Sequence, residues 1–354
     1  MKIYDSMDAC RLLHESTVDS ESTLILLRTR LLSVAQRIGF SSVQRDNMAL
    51  AASEIASNIL KYAAGRGSIQ IWQQPGPAVD LFALDFGPGI PDLGQAQQDG
   101  YSTSNTLGKG LGSIQRLSQQ SAIYTRCADQ SPVRKWTGTA VLARFMLAPQ
   151  ATRWCAPYEV GLYSRSLSDE RYNGDRIYLH RYPGGLRWLH LDGLGRGRMA
   201  QEATMDVGQH LLGQTDPLRI LDGVDRQLTT TRGAVGVACD YRDSGHAVHI
   251  AGIGDLHAHV AQPQMGAEET LAFAPGILGR EHKHAAEHGT NFNGRGVAIT
   301  ASDGIRRNWD GSSFPGLFNQ HPQLIAYILG NIMGRMSDDQ SLCVAAFDPR
   351  SRTA

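Results

Sequence analysis

Apolar residues recur at helical spacing in two stretches near the start of the chain, residues 22–39 and 44–63. Four short apolar runs follow, and their composition predicts strands: "SIQIWQ", "VDLFALDF", "AIYTR" and "GTAVLARFML". Helices followed by such strands predict one layered α/β domain over residues 1–149.

The pattern changes after residues 148–159, a segment with two prolines and no periodicity, which we interpret as a linker. Eight short strand patterns follow, interrupted by helical patterns at about 197–230 and 321–335. This arrangement predicts a second α/β domain over residues 158–354, with two packed sheets and helices outside them.

Composition excludes several classes of function. The 34 basic and 34 acidic side chains cancel and the pI is near 7.2, which argues against binding to nucleic acid or to an anionic membrane. The five cysteines are scattered, which indicates free thiols in a reducing compartment. The first twenty residues lack the apolar core of a signal peptide, and no run approaches membrane-spanning length, so we expect a cytoplasmic protein.

Three elements of the first half suggest a nucleotide site. Glu54 and Asn58 are four residues apart and would share one helix face. "DFGPGI" (85–90) places an acid at the end of an apolar strand, and "GKGLGS" (108–113) is a glycine-rich loop that could approach phosphates closely. Taken alone, the three elements could be a solvated helix edge, a turn and a flexible loop, respectively. The order and spacing of the three elements together favour a nucleotide site.

With these motifs, residues 20–147 resemble the GHKL ATPases, in particular the anti-sigma-factor serine kinases of the RsbW and RsbT type. The resemblance implies a Bergerat-type α/β sandwich that binds ATP with Mg²⁺. Asn58 would hold the Mg²⁺ ion, Glu54 would be the general base on a substrate hydroxyl, and Asp85 would accept from the adenine amino group. The other nucleotide-binding residues that it implies are Gly87, Gly89, Lys109, Gly110, Gly112 and Thr139, with Lys61 as a weaker phosphate contact.

In the second half, aspartates stand at the ends of strand patterns. They are Asp175, Asp192, Asp303 and the adjacent pair Asp338 and Asp339. Carboxylate oxygens suit Mg²⁺ or Mn²⁺, and two such ions could activate a water molecule against a phosphoryl group. Asp-Gly is also a common turn pair, so each of these sites taken alone could be an ordinary turn.

These motifs resemble the metal-dependent PPM phosphatases of the SpoIIE and RsbX branch over about residues 158–348. The resemblance implies an αββα sandwich in which Asp175 and Asp192 bridge two metal ions and the Gly193 carbonyl group completes the shell of one of them. Asp303 and Asp338 would bind the second ion. The sequence departs from the family pattern at two neighbouring positions: Arg196 replaces a common histidine and Ser341 replaces the usual threonine.

For three further features of the second half, a structural interpretation is favoured over a functional one. Arg165 could contact a substrate phosphate, although a surface arginine is the commoner case. The "GIGD" turn, which ends at Asp255, is interpreted as structural. His284 and His288 have a spacing that could bind metal on a helix, but a solvated insertion is the favoured interpretation.

Together the two resemblances predict a bifunctional partner-switching regulator. The phosphatase half would use two Mn²⁺ or Mg²⁺ ions to remove phosphate from a serine or threonine on a STAS-domain, anti-anti-sigma-type protein. The first half would be a serine kinase or, alternatively, a non-catalytic ATP-sensing or docking module that regulates the phosphatase. A scaffold without catalysis is the third hypothesis, and an upstream sensor and a homodimer are left open.

Overall fold

The computed structural model describes residues 3–6, 10–96, 111–127, 136–147, 158–167, 172–213 and 216–348. These residues form two compact units. The N-terminal unit comprises Arg11–Arg153 and Ser313–Gln320, and the C-terminal unit comprises Met1–Cys10, Trp154–Ser312 and His321–Ala354. Within the described ranges, no helix combines the length and the apolar character needed to cross a bilayer.

The described strands are β1 (Ile3–Asp5), β2 (Arg11–Thr17), β3 (Gly67–Gln74), β4 (Ala78–Asp85), β5 (Gln120–Arg126), β6 (Gly138–Met146), β7 (Tyr158–Arg165), β8 (Asp175–Tyr182), β9 (Gly185–Gly193), β10 (Ala234–Arg242), β11 (Ala247–Ile253), β12 (His257–Gln262), β13 (Ala267–Ala272), β14 (Glu287–Asn291), β15 (Gly296–Ala301) and β16 (Gln340–Phe347). The described α-helices are α1 (Glu21–Ile38), α2 (Ser42–Tyr62), α3 (Leu93–Ala96), α4 (Leu111–Leu117), α5 (Arg198–Thr204), α6 (Pro217–Leu228) and α7 (Pro322–Met333). Short 3₁₀ turns occur at Gly208–Leu211 and Leu317–Asn319.

The N-terminal unit is a two-layer α/β sandwich. Its antiparallel sheet has the order β2-β3-β4-β6-β5, and α2 packs against this sheet and against α1 and α4. Leu27, Leu31 and Met48 on the helices share one buried cluster with Ile71 and Leu81 on the strands. Burial of this apolar layer is the main force that holds the helices on the sheet.

The boundaries of α1 and α2 have local causes. Gly39 ends α1 with a φ of 102°, a left-handed conformation that a residue without Cβ adopts at little cost. Ser41 then caps α2: its hydroxyl accepts from the Gln44 N–H, and the Gln44 side chain accepts from the Ser41 N–H. The chain therefore turns within three residues, and α2 starts two residues before the predicted position.

The C-terminal unit is an αββα sandwich, as the sequence predicted. One sheet has the order β1-β8-β9-β10-β11-β14, and the other has the order β13-β12-β15-β16-β7. Trp188 on β9 donates from its indole N–H to Thr300 on β15, so the two sheets face each other. Helix α6 covers β10 and β11 on one outer face, and α7 covers β7 and β16 on the other.

Helix α7 lies very close to strand β7, the last strand of its sheet. A Cβ atom on Gly161 would lie 2.3 Å from the Pro322 carbonyl carbon, so only glycine allows this approach. The buried Gln323 side chain accepts from the Leu162 N–H and donates to the Leu162 carbonyl oxygen. The exposed side of an edge strand thus has its backbone groups satisfied by a helix side chain.

Each unit contains a segment from the other end of the chain. Residues 3–5, which lie in the first predicted domain, form β1 and pair with β8 of the C-terminal unit. Ser313–Gln320, which lies in the second predicted domain, belongs to the N-terminal unit. There the Arg126 guanidinium donates to the Ser313 carbonyl oxygen at 2.6 Å, and the Tyr124 hydroxyl donates to the Pro315 carbonyl oxygen at 3.2 Å.

Two adjacent leucines on α1 provide a matched test of the N-terminal core. Leu27 is 0% exposed and Leu26 is 66% exposed. We expect Leu27→Ala to lower the free energy of unfolding by about 2–5 kcal/mol, because it leaves a cavity. Leu26→Ala should change it by less than about 0.5 kcal/mol. Urea unfolding of the full chain measures both values, and equal losses would contradict this packing.

Candidate active sites

The C-terminal unit brings two aspartates together at the ends of neighbouring strands. Asp175 begins β8 and Asp192 lies near the end of β9, and the antiparallel register places them directly opposite each other. Residues in such a pair project from the same face of the sheet, with Cβ atoms about 4.5–5.5 Å apart. Asp175 is almost completely buried and Asp192 is partly buried. Two carboxylates therefore share one small region with little access to water.

The same end of the sandwich forms a cleft of about 590 Å³, which we call the carboxylate cleft. Asp192, Gly193, Asp303 and Asp338, four of the five predicted metal ligands, line it, whereas Asp175 is buried behind Asp192 and is not among the lining residues. Asp255 also lines the cleft; burial is the main cause of the raised pKa of Asp192 and Asp303, and the charge of Asp255 adds to both shifts. The sequence predicted only a structural role for Asp255, and the structure places this residue, in the β11–β12 turn, in the lining of the cleft as well.

Burial and mutual repulsion dominate the electrostatics of the carboxylate cleft. Burial raises the pKa of Asp175 to about 7, although hydrogen bonds from the Ser341 and Ser302 hydroxyl groups oppose this increase. Burial also raises the pKa of Asp192 well above its ordinary value, and the Asp175 and Asp303 charges add to the shift. The cleft thus concentrates carboxyl groups, and the Arg196 and Arg307 side chains, which also line it, offset part of their negative charge.

The donor set of the cleft suits a hard divalent cation. Among the described residues, no three His, Cys, Asp or Glu side chains lie close enough together to enclose a metal ion. The groups that line the cleft nevertheless offer only oxygen ligands, which Mg²⁺ and Mn²⁺ prefer. A bound cation would offset the burial and the repulsion that raise the carboxyl pKa values, and the side chains would have to draw together around it.

A buried chain of hydrogen bonds supports Asp175 from between the sheets. The Ser341 hydroxyl donates to Asp175 Oδ2 at 2.6 Å, and His190 Nε2 lies 2.7 Å from the Ser341 oxygen. On the other side of the ring, Nδ1 lies 3.0 Å from the Thr300 hydroxyl, which accepts from the Trp188 indole N–H. Burial lowers the pKa of His190 to about 3, so the ring is neutral.

The donor and acceptor roles along this chain of hydrogen bonds follow from the groups at its two ends. Indole can only donate and an ionised carboxylate can only accept. Since Ser341 donates to Asp175, the proton of His190 lies on Nε2, and Nδ1 accepts from Thr300. Sequence reasoning missed His190, although its position two residues before Asp192 on the same strand face was a usable signal. Ser341, noted only as a departure from the family pattern, is the direct support of Asp175.

The neighbouring charged residues have structural contacts. Asp339 accepts from the backbone N–H groups of Leu167 and Gly174, both at 2.7 Å, and so connects the end of the β7 segment with the residue before β8. Arg196 donates to the Ser337 carbonyl oxygen and lies 3.9 Å from Asp338. The residue that replaces the expected histidine therefore connects the loop after β9 with the loop before β16.

Two other candidates of the sequence lie outside the carboxylate cleft. Arg165 ends strand β7, opposite Gln340. His284 lies in an irregular segment and His288 in strand β14, paired with Ile250, so the two histidines do not share a helix. The structure thus excludes the helical metal spacing, which was the less favoured interpretation of these histidines, because β-pairing sets the backbone conformation at His288.

The N-terminal unit holds Asp85 at the end of β4 in a defined orientation. The Gly87 and Thr139 N–H groups both donate to Asp85 Oδ1, at 2.8 and 3.0 Å. Within the described part of the chain, no group is hydrogen-bonded to the second oxygen, Oδ2. Burial raises the pKa of Asp85, and the two N–H donors oppose this shift. Oδ2 can therefore accept a hydrogen bond from a ligand.

Two glycines allow the close packing around Asp85. Gly89 has a φ of 80°, and a Cβ atom there would lie 2.4 Å from the Arg126 carbonyl oxygen. A Cβ atom on Gly138 would lie 2.1 Å from the Asp85 carbonyl oxygen. Any side chain at these positions would push apart the ends of β4, β5 and β6. Gly87 does not have a left-handed backbone conformation. A Cβ atom there would lie 3.1 Å from the Ala63 Cβ atom at the end of α2.

Helix α2 runs past this strand end. Glu54 and Asn58 are partly buried on α2, one turn apart, while Lys61 in its last turn is exposed. Ile59, next to Asn58, lies beside Asp85 across Gly67. Thr139 is buried at the start of β6, and Gly112 lies in the first turn of α4, whereas Lys109 and Gly110 lie outside the described residues.

The N-terminal part of the chain is similar in sequence to known proteins. Residues 18–136 match the model of the histidine kinase-like ATPase domain. The serine/threonine-protein kinase RsbT of Bacillus subtilis is 35% identical over 109 residues, which cover 29% of this chain and 81% of RsbT. The chain belongs to the RsbT family. This RsbT-type region contains Glu54, Asn58, Asp85, Gly87 and Gly89.

Solved structures similar to this chain cover about half of it. RsbX in complex with magnesium is 16% identical and covers 54% of this chain and 96% of its own, with a TM-score of 0.47. The serine/threonine phosphatase PstP of Mycobacterium tuberculosis is 13% identical and covers 54% and 99%, with a TM-score of 0.43. A chain from the bacterial stressosome is 24% identical and covers 53% and 98%, with a TM-score of 0.48.

The raised carboxyl pKa values predict how stability depends on pH. Asp175 has an ordinary pKa of 3.8 and a folded-state pKa of about 7, so its ionisation opposes folding. In chelator-treated protein, stability should fall as the pH rises from 3.8 to about 7, by up to about 1.4 kcal/mol per pH unit for one group. Asp175→Asn should flatten this dependence. Urea unfolding across this range tests the prediction, and stability that rises with pH would contradict it.

Proposed function

We propose that the chain is a bifunctional partner-switching regulator. In this proposal the C-terminal unit is a metal-dependent phosphatase of the PPM type that acts on a phosphoserine or phosphothreonine of a STAS-domain protein. The observation that carries it is the cross-strand pair Asp175 and Asp192, of which Asp192 lines a cleft together with Asp303 and Asp338. A buried cross-strand pair of carboxylates repels itself, and two divalent cations are the simplest counter-charge.

In the proposed phosphatase, Asp175, Asp192 and the Gly193 carbonyl oxygen would hold the cations together with Asp303 and Asp338. When bound, Mn²⁺ or Mg²⁺ ions would supply an acidified water and positive charge for the phosphoryl group. The protein's part is orientation: Ser341 and Ser302 donate to Asp175 and fix its rotamer. The neutral His190 ring keeps the Ser341 proton directed at Asp175.

We also propose that the N-terminal unit binds ATP with Mg²⁺ and transfers phosphate to a partner serine. Membership in the RsbT family supports this proposal, as does the free Oδ2 atom of Asp85. Asn58 would hold the Mg²⁺ ion and Glu54 would accept the proton of the attacking hydroxyl. The alternative is a non-catalytic ATP-sensing or docking module, which would need the Asp85 contacts but no base at Glu54.

Asp192→Ala should abolish phosphate release from p-nitrophenyl phosphate in buffer with Mn²⁺, because Asp192 faces both Asp175 and the open cleft. Its Mn²⁺ affinity, measured by calorimetry, should fall as well. Asp222→Ala removes an exposed carboxylate from α6 and serves as the control. Undiminished phosphate release by Asp192→Ala would contradict the assignment of the metal site.

Two substitutions on α2 should separate nucleotide binding from chemistry. Asn58→Ala should weaken both Mg·ATP binding and phosphoryl transfer, because it removes a metal ligand. Glu54→Gln keeps the shape of the side chain but cannot accept a proton, so binding should persist while transfer falls by roughly 10²–10⁴-fold. Calorimetry with ATP and transfer of labelled phosphate to STAS-domain proteins, both on the full chain, measure these effects.

Glu21→Gln, at an exposed position in the first turn of α1, is the charge-matched control. Transfer by Glu54→Gln at the wild-type rate would exclude Glu54 as the base. If wild type and Glu54→Gln both bind ATP and neither transfers phosphate, the sensing-module alternative is favoured.

A further inference from the structure

Three arginines stand close in sequence to the aspartates of the carboxylate cleft. Arg306 and Arg307 follow Asp303 by three and four residues, and Arg335 precedes Asp338 by three. The loop that leaves one acidic residue and the loop that approaches the other therefore each carry positive charge. None of these arginines is used in the proposed chemistry.

The backbone holds these two loops side by side. The Arg306 N–H donates to the Met333 carbonyl oxygen at 2.9 Å, and the Arg335 N–H donates to the Gly304 carbonyl oxygen at 2.8 Å. Because both arginines are anchored through their own N–H groups, their side chains start from fixed points on the surface. The arrangement is built by the fold and does not depend on flexible tails.

Between the loops lies an open cleft of about 730 Å³, which we call the arginine cleft. Its lining residues are Arg306, Arg307, Asn308, Arg335, Met336 and Ser337. In the described part of the chain, no carboxylate forms an ion pair with the three guanidinium groups. Met336 is 77% exposed, so an apolar side chain stands among these positive charges.

The arginine cleft is continuous with the carboxylate cleft. Arg307 lines both, and its guanidinium donates to the carbonyl oxygen of Asp255, which lies in the carboxylate cleft. If a phosphorylated side chain of a protein substrate reached Asp192, the neighbouring residues of that substrate would therefore lie near the arginines. The distance from one cleft to the other is no more than the span of one side chain.

The geometry points to the arginine cleft as a recognition subsite for an acidic segment, with an apolar residue, that flanks the phosphorylated serine or threonine of the protein substrate. This inference rests on the proposed phosphatase function. Guanidinium groups that form no ion pair with a carboxylate of the described residues match Asp and Glu side chains, and Met336 offers a soft apolar contact. Charge complementarity of this kind sets partner choice more than chemical rate.

The test uses the full chain with Mn²⁺ and two phosphoserine peptides that differ only in their flanks. One has Asp and Glu beside a leucine, and the other has Asn and Gln in the same places. We expect wild type to hydrolyse the acidic peptide with a kcat/KM about tenfold higher. Arg306→Glu and Met336→Ser should reduce this preference through KM, while hydrolysis of p-nitrophenyl phosphate stays unchanged. The preference should also weaken in 0.5 M NaCl, because salt screens exposed charges.

Arg226→Glu makes the same charge change at an exposed position on α6 and should keep the preference. Equal rates on both peptides, or an equal loss on peptides and p-nitrophenyl phosphate, would overturn the inference. Competition by an oligonucleotide as strong as that by the acidic peptide would overturn it too, since the cleft would then bind any polyanion.

Failure of the proposed function would look different, because wild type would then hydrolyse no substrate at all. In that case fluorescence anisotropy still measures binding of the labelled acidic peptide. Tighter binding to wild type than to Arg306→Glu would support the subsite, and equal binding would overturn it.

Discussion

Two carboxylates that repel each other are held face to face by the pairing of β8 with β9, and much of the C-terminal unit is arranged around this constraint. The register places Asp175 opposite Asp192, and burial then removes the water that would screen them. The protein stabilises Asp175 by hydroxyl groups from β16 and the end of β15, backed by His190 and Trp188. The inner faces of both sheets therefore carry polar groups where a sandwich of this kind would otherwise be wholly apolar.

The N-terminal unit also holds a carboxylate away from water, but with different hydrogen-bond donors. Asp85 is also partly buried at a strand end, but it stands alone, and backbone N–H groups rather than hydroxyl groups hold it. Because both donors use Oδ1, the carboxylate keeps one face for a ligand. One unit thus uses clustered carboxylates that suit cations, and the other uses a single oriented carboxylate that suits a neutral donor.

The sequence was sufficient to predict those helices and strands whose burial makes the pattern of apolar residues regular. Helices α1 and α2 and the buried strands β8, β9 and β16 lie within about two residues of their predicted bounds. Strands β2, β13 and β14 were not predicted, because they are largely exposed and their residues show no apolar pattern. Asp255 and His190 were missed for another reason: their roles depend on residues far away in the chain, which only the folded sheets bring close. The clefts and the neighbouring arginines likewise required the tertiary structure.

The exchange of segments between the two units has a consequence for the gene and for any fragment made from it. A cut at the linker would separate β8 from β1, and the bare strand edge would offer its N–H and C=O groups to other chains. The other fragment would lose Ser313, whose carbonyl oxygen accepts from the buried Arg126. Neither half of the reading frame therefore encodes a complete folding unit. Recombination that separated the halves at the linker would be expected to yield aggregation before it yielded two independent proteins.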